Sequence, residues 1–264
     1  MRHQFYISVR TTIVAICVGF LTMALNTNAQ QKQIVDSNFN TWLSNTNMYN
    51  VHAKWFLSSE FHIRRTDGFN LWQQLLLRPG ANFRLNQHVV FSVGYSYSLG
   101  YPYGNESVYI TTPEHNSWEQ VTLKHSIGKL AINHRYRFEQ RFIGNRTKDA
   151  EEKYHIDGFN FSERFRYQLT AIIPLVVSKK WFLRIFDEVF ITQQRFVPSG
   201  LNQNRVYAGA GFKFNKRGTV QLGFMHQLIK NSDGIHSESN YTLQCSVGYV
   251  IGKLPETNPH HKAE

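Results

Sequence analysis

Apolar and polar residues alternate with a period of two along most of the chain, the pattern of strands that present different faces to different media. In VVFSVGYSYSLGYPY, from Val89, the positions Phe91, Val93, Tyr95, Tyr97, Leu99, Tyr101 and Tyr103 form an aromatic face. Ser92, Gly94, Ser96, Ser98 and Gly100 leave the other face nearly bare. KWFLSSEFHIRR (54–65) sets Trp55, Leu57, Phe61 and Ile63 against Lys54, Glu60, His62 and Arg64. NLWQQLLLRPGANFR sets Leu75, Leu77 and Phe83 against Gln74, Arg78 and Arg84. LAINHRYRFEQRF sets Ile132, Tyr136, Phe138 and Phe142 against Arg135, Arg137, Glu139 and Arg141, and FNFSERFRYQLTAI sets Phe161, Phe165 and Tyr167 against Arg164, Arg166 and Gln168. RVYAGAGFKF, TVQLGFMHQLI and YTLQCSVGYVI continue the alternation to Ile251. Two strands are less regular. SWEQVTLKHSI turns Lys124 inward and His125 outward, while WFLRIFDEVFI is apolar on both faces and puts Asp187 and Glu188 on opposite ones, which predicts a bulge or a buried pair.

Between the strands, short turns near Asn86, Gly128, Ser178 and Asn215 alternate with longer polar connections over 104–116, 144–158, 194–203 and 230–238. That asymmetry predicts an outer-membrane barrel with short periplasmic turns and long external loops. A soluble barrel would also alternate. Its lumen, however, would have to take the aromatic face of some ten strands, when a barrel of about eight is already filled by ordinary side chains. Turned outward, the aromatics meet lipid, and Gly, Ser and Arg line a polar interior. The expected fold is thus all-β, a transmembrane antiparallel up-and-down barrel at 54–252. The segment 30–53 is either a periplasmic lead-in or a first strand, so the even total is ten, or twelve if a strand is missed. The polar tail, 253–264, should be disordered.

The first residues add the compartment. Arg2 and Arg10 precede the apolar run IVAICVGFLTMAL, and small residues end at Ala29. The run is shorter than the roughly 20 residues of a spanning helix, so 1–29 reads as a cleaved signal peptide. The whole chain has 264 residues and a net charge of +11, and loss of Arg2 and Arg10 leaves 27 basic residues against 18 acidic ones, or +9. Only Cys245 survives cleavage, which rules out an internal disulfide. The predicted place is the outer membrane of a Gram-negative bacterium, with lipid as the first partner. The basic residues are spread through a barrel interior, so the charge does not point to nucleic acid.

With the strands placed, HRYRFEQRF (134–142), RFRYQL (164–169), FDEVF (186–190), NRVYAGAGFKF (204–214) and TWLS (41–44) resemble the domain-of-unknown-function family 2490, predicted outer-membrane proteins of Gram-negative bacteria. The resemblance covers about 36–253. It implies the barrel and the membrane, and it carries over no activity and no catalytic residues.

The chemistry that stands out is an inward basic ladder. Arg135, Arg137, Arg141, Arg164, Arg166, Arg184 and Arg205 are the candidate anion-binding residues, with Glu139 and Glu188 as lumen acids and Arg64, Arg78, Arg84, Lys124, Lys213 and Glu60 sharing the same face. Rings of Arg favour anions, and guanidinium forks match carboxylate or phosphate. The competing reading is a structural network of Arg and Glu that plugs a narrow barrel, leaving function to the external loops. A third reading, a membrane esterase, would use His236, Ser237 and Ser239 or His125 and Ser126, but neither set has a third partner or an oxyanion site. Asp187 and Glu188 point to opposite faces and cannot flank one substrate. The glycines of GAG (209–211) precede no helix and are not a phosphate loop. His260 and His261 alone close no metal site. No enzyme activity, cofactor or metal is expected, and the oligomeric state is open.

Overall fold

The computed structural model describes residues 34–104, 109–175, 178, 180–194, 197–230 and 235–253. The expected signal peptide and most of the expected tail lie outside them. Eleven strands follow one another: β1 (Ile34–Asn50), β2 (Trp55–Thr66), β3 (Leu71–Arg84), β4 (Val89–Gly100), β5 (Thr112–Ile127), β6 (Leu130–Lys148), β7 (Tyr154–Pro174), β8 (Trp181–Gln194), β9 (Val197–Lys213), β10 (Gly218–Lys230) and β11 (His236–Gly252). Each pairs with its neighbour in sequence, and β1 meets β11 to close the barrel.

The strand count corrects the even total expected from the sequence. Ten or twelve presumes that every pair, the closing one included, is antiparallel. With eleven alternating strands, β1 and β11 run the same way. Both strands finish together: Gly252, at the end of β11, lies against the backbone of Asn50, at the end of β1. The segment read as lead-in or first strand is thus a full strand of 17 residues. Its start lies at the opposite rim, where Gly68 of the β2–β3 turn donates to the Phe39 carbonyl at 3.2 Å.

The long polar connections are also shorter than expected. β6 runs to Lys148 and β7 starts at Tyr154, so most of 144–158 is strand, and β5 already includes Glu114 and Asn116. Beyond the stretch with an apolar outer face, both faces of a strand are polar and the period-two signal fades. At 21 residues, β7 far exceeds the 9–11 that a tilted strand needs to cross a bilayer. The opposite rim has tight turns, such as the two-residue turn at Gly128 and Lys129, where Gly128 holds a φ of 59°. A glycine in the first central place suits the type II′ hairpin.

The barrel is inside-out relative to a soluble protein. Its exterior carries exposed apolar side chains on every strand, among them Leu43, Phe61, Val93, Phe138, Ile185, Phe224 and Leu243. So continuous an apolar belt far exceeds the patches that soluble monomers tolerate and fits hydrocarbon. Inside, buried polar and charged residues outnumber buried apolar ones.

Several inward glycines are seats for aromatic rings. A Cβ at Gly94 or Gly80 would run into the Trp118 indole; at Gly209 or Gly223 it would meet Tyr207, and at Gly211, Phe182. The bare face of the Val89 strand and the GAG of β9 are therefore packing surfaces. Inward rings lie flat on neighbouring strands and narrow the lumen.

The two faces should respond differently to charge. Leu243→Arg puts a guanidinium on the belt and is expected to cost about 2–4 kcal/mol if it lies near the midplane. Gln244→Arg, one residue on, enters the lumen cavity and should cost well under half as much. Refolding titrations in lipid vesicles measure both, and equal costs would reverse the assignment of faces.

Candidate functional site

The interior of β6, β7 and β8 is built from directly opposed charged rows. Arg137 faces Arg166 and Glu139 faces Arg164 across β6 and β7, while Gln168 faces Glu188 across β7 and β8. Glu139 and Glu188 thus flank Arg166 diagonally. Arg166 donates from one terminal nitrogen to Glu139 at 2.7 Å and from Nε to Glu188 at 2.9 Å. Arg164 Nε donates to the other Glu139 oxygen at 2.5 Å, and Arg135 donates to Glu188 at 2.5 Å. Arg137 stands 3.9 Å from Glu139, donates from Nε to Gln120 at 2.8 Å and packs 4.3 Å over the Trp118 ring. Hydrogen-bonded pairs of this kind are the condition under which charges tolerate burial.

Glu114 is a lumen acid that the sequence reading missed. It accepts both forks of Arg141, at 2.7 and 2.8 Å. Counted as part of a loop, it could not be given a face. Parity would have found it once β5 was extended by a few residues. Glu60 does face inward and accepts from Arg78 at 2.8 Å.

The expected arginines fall into two groups. Arg135, Arg137, Arg141, Arg164 and Arg166 join carboxylates, whereas Arg184 and Arg205, together with Arg64, form no ion pair among the described residues. Arg64 donates to Gln74 at 2.7 Å and lies 3.8 Å over the Trp42 ring. Arg205 lies beside Gln203, whose side-chain oxygen, turned toward it, accepts from Nε at 2.7 Å. The ring of Phe190, fully buried, sits among Arg164, Arg166 and Arg205 at 4.5 to 5.5 Å. Guanidinium groups over aromatic faces gain from the ring quadrupole.

Inward aromatics are the other residues that sequence reasoning missed. Trp42, Phe186, Tyr207 and Met225 form a small buried cluster inside the lumen. It explains why WFLRIFDEVFI is apolar on both faces: Ile185 looks out, while Phe182, Phe186 and Phe190 look in. The β7–β8 register runs unbroken through Asp187 and Glu188, and the first irregularity of β8 falls after Phe190, so no bulge lies between the two acids. Asp187 faces out and accepts from Asn204 at 2.6 Å.

Two cavities share the lumen. The one toward the long-hairpin rim has a volume of about 320 Å³ and is lined by Arg64, Arg78, Arg141, Arg164, Arg166, Arg205 and Glu114. The other, about 390 Å³, is lined by Arg64, Arg78, Arg135, Arg166, Arg184, Arg205, Glu60 and Glu188. Both touch Trp42, Arg64, Arg78, Arg166 and Arg205, which form a waist between them. Among the described residues, ten arginines and three glutamates line the two cavities, with Arg137 and Glu139 buried beside them. Such a waist can hold an anion by forked hydrogen bonds.

The esterase candidates are arranged otherwise than expected. Ser239 bonds His226 at 2.9 Å rather than forming a unit with His236, and no carboxylate bonds His226 among the described residues. His125 stacks on His134, 5.3 Å between ring centres. His260 and His261 lie outside the described residues.

A family described as protein of unknown function (DUF2490) matches residues 39–238. An uncharacterized protein of Methylorubrum extorquens is 22% identical over 249 residues, 91% of this chain and 98% of its own length. Among solved structures, the NanC porin superposes with a TM-score of 0.45 at 11% identity, covering 79% of this chain and 91% of its own. The β-domain of the Bordetella autotransporter BrkA gives 0.42 at 9% identity, covering 71% and 79%.

Removing the central acid should be costly. Glu139→Gln leaves Arg164 and Arg166 without their shared charge at a fully buried position and should destabilise the barrel by about 3–5 kcal/mol. Glu60→Gln, whose side chain is 25% exposed, should cost less. Urea unfolding midpoints of vesicle-embedded protein provide the comparison.

Proposed function

The chain belongs to the DUF2490 family of proteins of unknown function, and we propose that it is an outer-membrane barrel whose arginine-lined lumen binds small anionic solutes and passes them across the waist. The observation that carries this reading is the excess of arginine over glutamate where the two cavities meet, with Arg64 and Arg205 bonded to neutral amides alone. An excess of like charge in a narrow lumen is costly unless anions offset it, and rings of Arg select for anions. The volumes suit solutes of small-metabolite size. Outer-membrane residence is supported by the apolar belt, by the contrast between tight turns and tall hairpins and by the signal peptide expected at 1–29. The reading involves no reaction, cofactor or metal.

A second reading has its own support. Glu139 and Phe190 are fully buried in mid-lumen, as in a barrel held shut by its side chains and acting through its long hairpins.

Bilayer recordings separate the two. Passage predicts small, anion-selective conductance, and Arg64→Gln combined with Arg205→Gln should lower the anion-to-cation permeability ratio several-fold. Silence from correctly refolded protein would support the plugged barrel instead.

Orientation has a separate test. An epitope inserted after Glu151, in the β6–β7 hairpin, should be reached by antibody on intact cells. One after Lys129 should be reached only when the outer membrane is broken. Labelling in the reverse order would invert the topology.

A further inference from the structure

A third cavity, of about 400 Å³, opens at the tight-turn rim between β5 and β10, and its chemistry differs from that of the waist. Its cations are Arg135, Arg184 and Lys213, and among the described residues no carboxylate lines it, whereas each of the other two cavities holds at least one glutamate. Arg135 is already bonded to Glu188 at 2.5 Å. Arg184 is not: among the described residues it makes no hydrogen bond or ion pair, and its guanidinium carbon lies 5.3 Å from the Phe186 ring. A guanidinium in a partly dry mouth has five donors to satisfy, and a planar anion satisfies two with one fork.

Beside Arg184, on β7 and β8, the surface is apolar. Phe182 is 7% exposed, its ring seated on Gly211, and Ile172 and Pro174 extend the surface. The Lys213 ammonium stands 6.0 Å from the centre of the Phe182 ring, so charge and apolar wall share one chamber. The surrounding turns strengthen the field. Residues 51–54, 85–88, 128–129 and 214–217 bring Lys54, Lys129, Lys216 and Arg217 to this rim and no Asp or Glu. Such one-signed mouths concentrate counter-ions.

We infer that this chamber binds a small amphipathic anion, with its carboxylate or phosphate head on Arg184 and Lys213 and its apolar body against Phe182, Ile172 and Pro174. The volume lies within the range of small-ligand pockets. Binding here does not require passage through the waist, so the inference stands or falls apart from conductance.

The test uses the refolded full chain in a non-ionic detergent, with phenylacetate, acetate and benzyl alcohol as probes. Acylation of each lysine by an activated ester is followed by mass spectrometry. Phenylacetate should slow modification of Lys213 several-fold and leave Lys153, in the far hairpin, unaffected. Acetate and benzyl alcohol at equal concentration should protect much less. Arg184→Gln should weaken the phenylacetate protection by about tenfold, and Phe182→Leu should weaken it while leaving the feeble acetate effect unchanged. Native-like heat-modifiable migration of each variant on a gel checks folding, and Arg184→Lys should restore part of the affinity. Equal protection by acetate would remove the apolar wall from the site. Equal protection by benzyl alcohol would remove the charge, and unaltered protection in Arg184→Gln would overturn the proposal.

Discussion

In hydrocarbon no water is available to a backbone N–H or C=O, so every strand must find two neighbours. The rest of this barrel follows from that requirement. Eleven strands satisfy it only by joining β1 to β11 in the same direction, and odd totals are known among membrane barrels. The ring so formed is small. Its interior is narrowed by the arginines and rings that face it to small cavities that meet at the waist.

Filling a lumen with arginine demands acceptors. Arg166 satisfies this by lying between two glutamates from adjacent strands, and Arg141 by taking both oxygens of Glu114. Arg64, Arg184 and Arg205 are left with amides, aromatic faces or open space. Stability and function divide along this line. The paired set ties β5 to β8 together, and the three outside it provide the positive potential from which both proposed anion sites arise.

Much of this was legible in the sequence, because a strand has only two faces. Parity alone turned Arg135, Arg137, Arg141, Arg164 and Arg166 into the lumen and separated Asp187 from Glu188. It could not recognise Phe186, Phe190 and Tyr207 as interior, since a phenyl ring facing lipid and one facing a neighbour's glycine look the same in a hydropathy pattern. Glu114 was lost to an overlong loop because the outward face of an emerged strand is as polar as its inward one. The closing pair was hidden for a different reason. Strand direction at a seam depends on the total count, and one segment left open between lead-in and strand, β1, changes it.

The glycine seats settle a matter to which alternation is blind. Sliding one strand by two residues along its neighbour keeps every side chain on its proper face, yet it alters the stagger of the closed sheet, and with it tilt and diameter. Trp118 is opposed directly by Gly94, and Gly94 by Gly80. After a two-step slide the indole would face Ser92 or Ser96, each with a side chain in its way. Phe182 and Gly211 index β8 against β9 in the same manner. The barrel's width is thus written as a set of notches, one ring to one missing side chain, spaced around the wall.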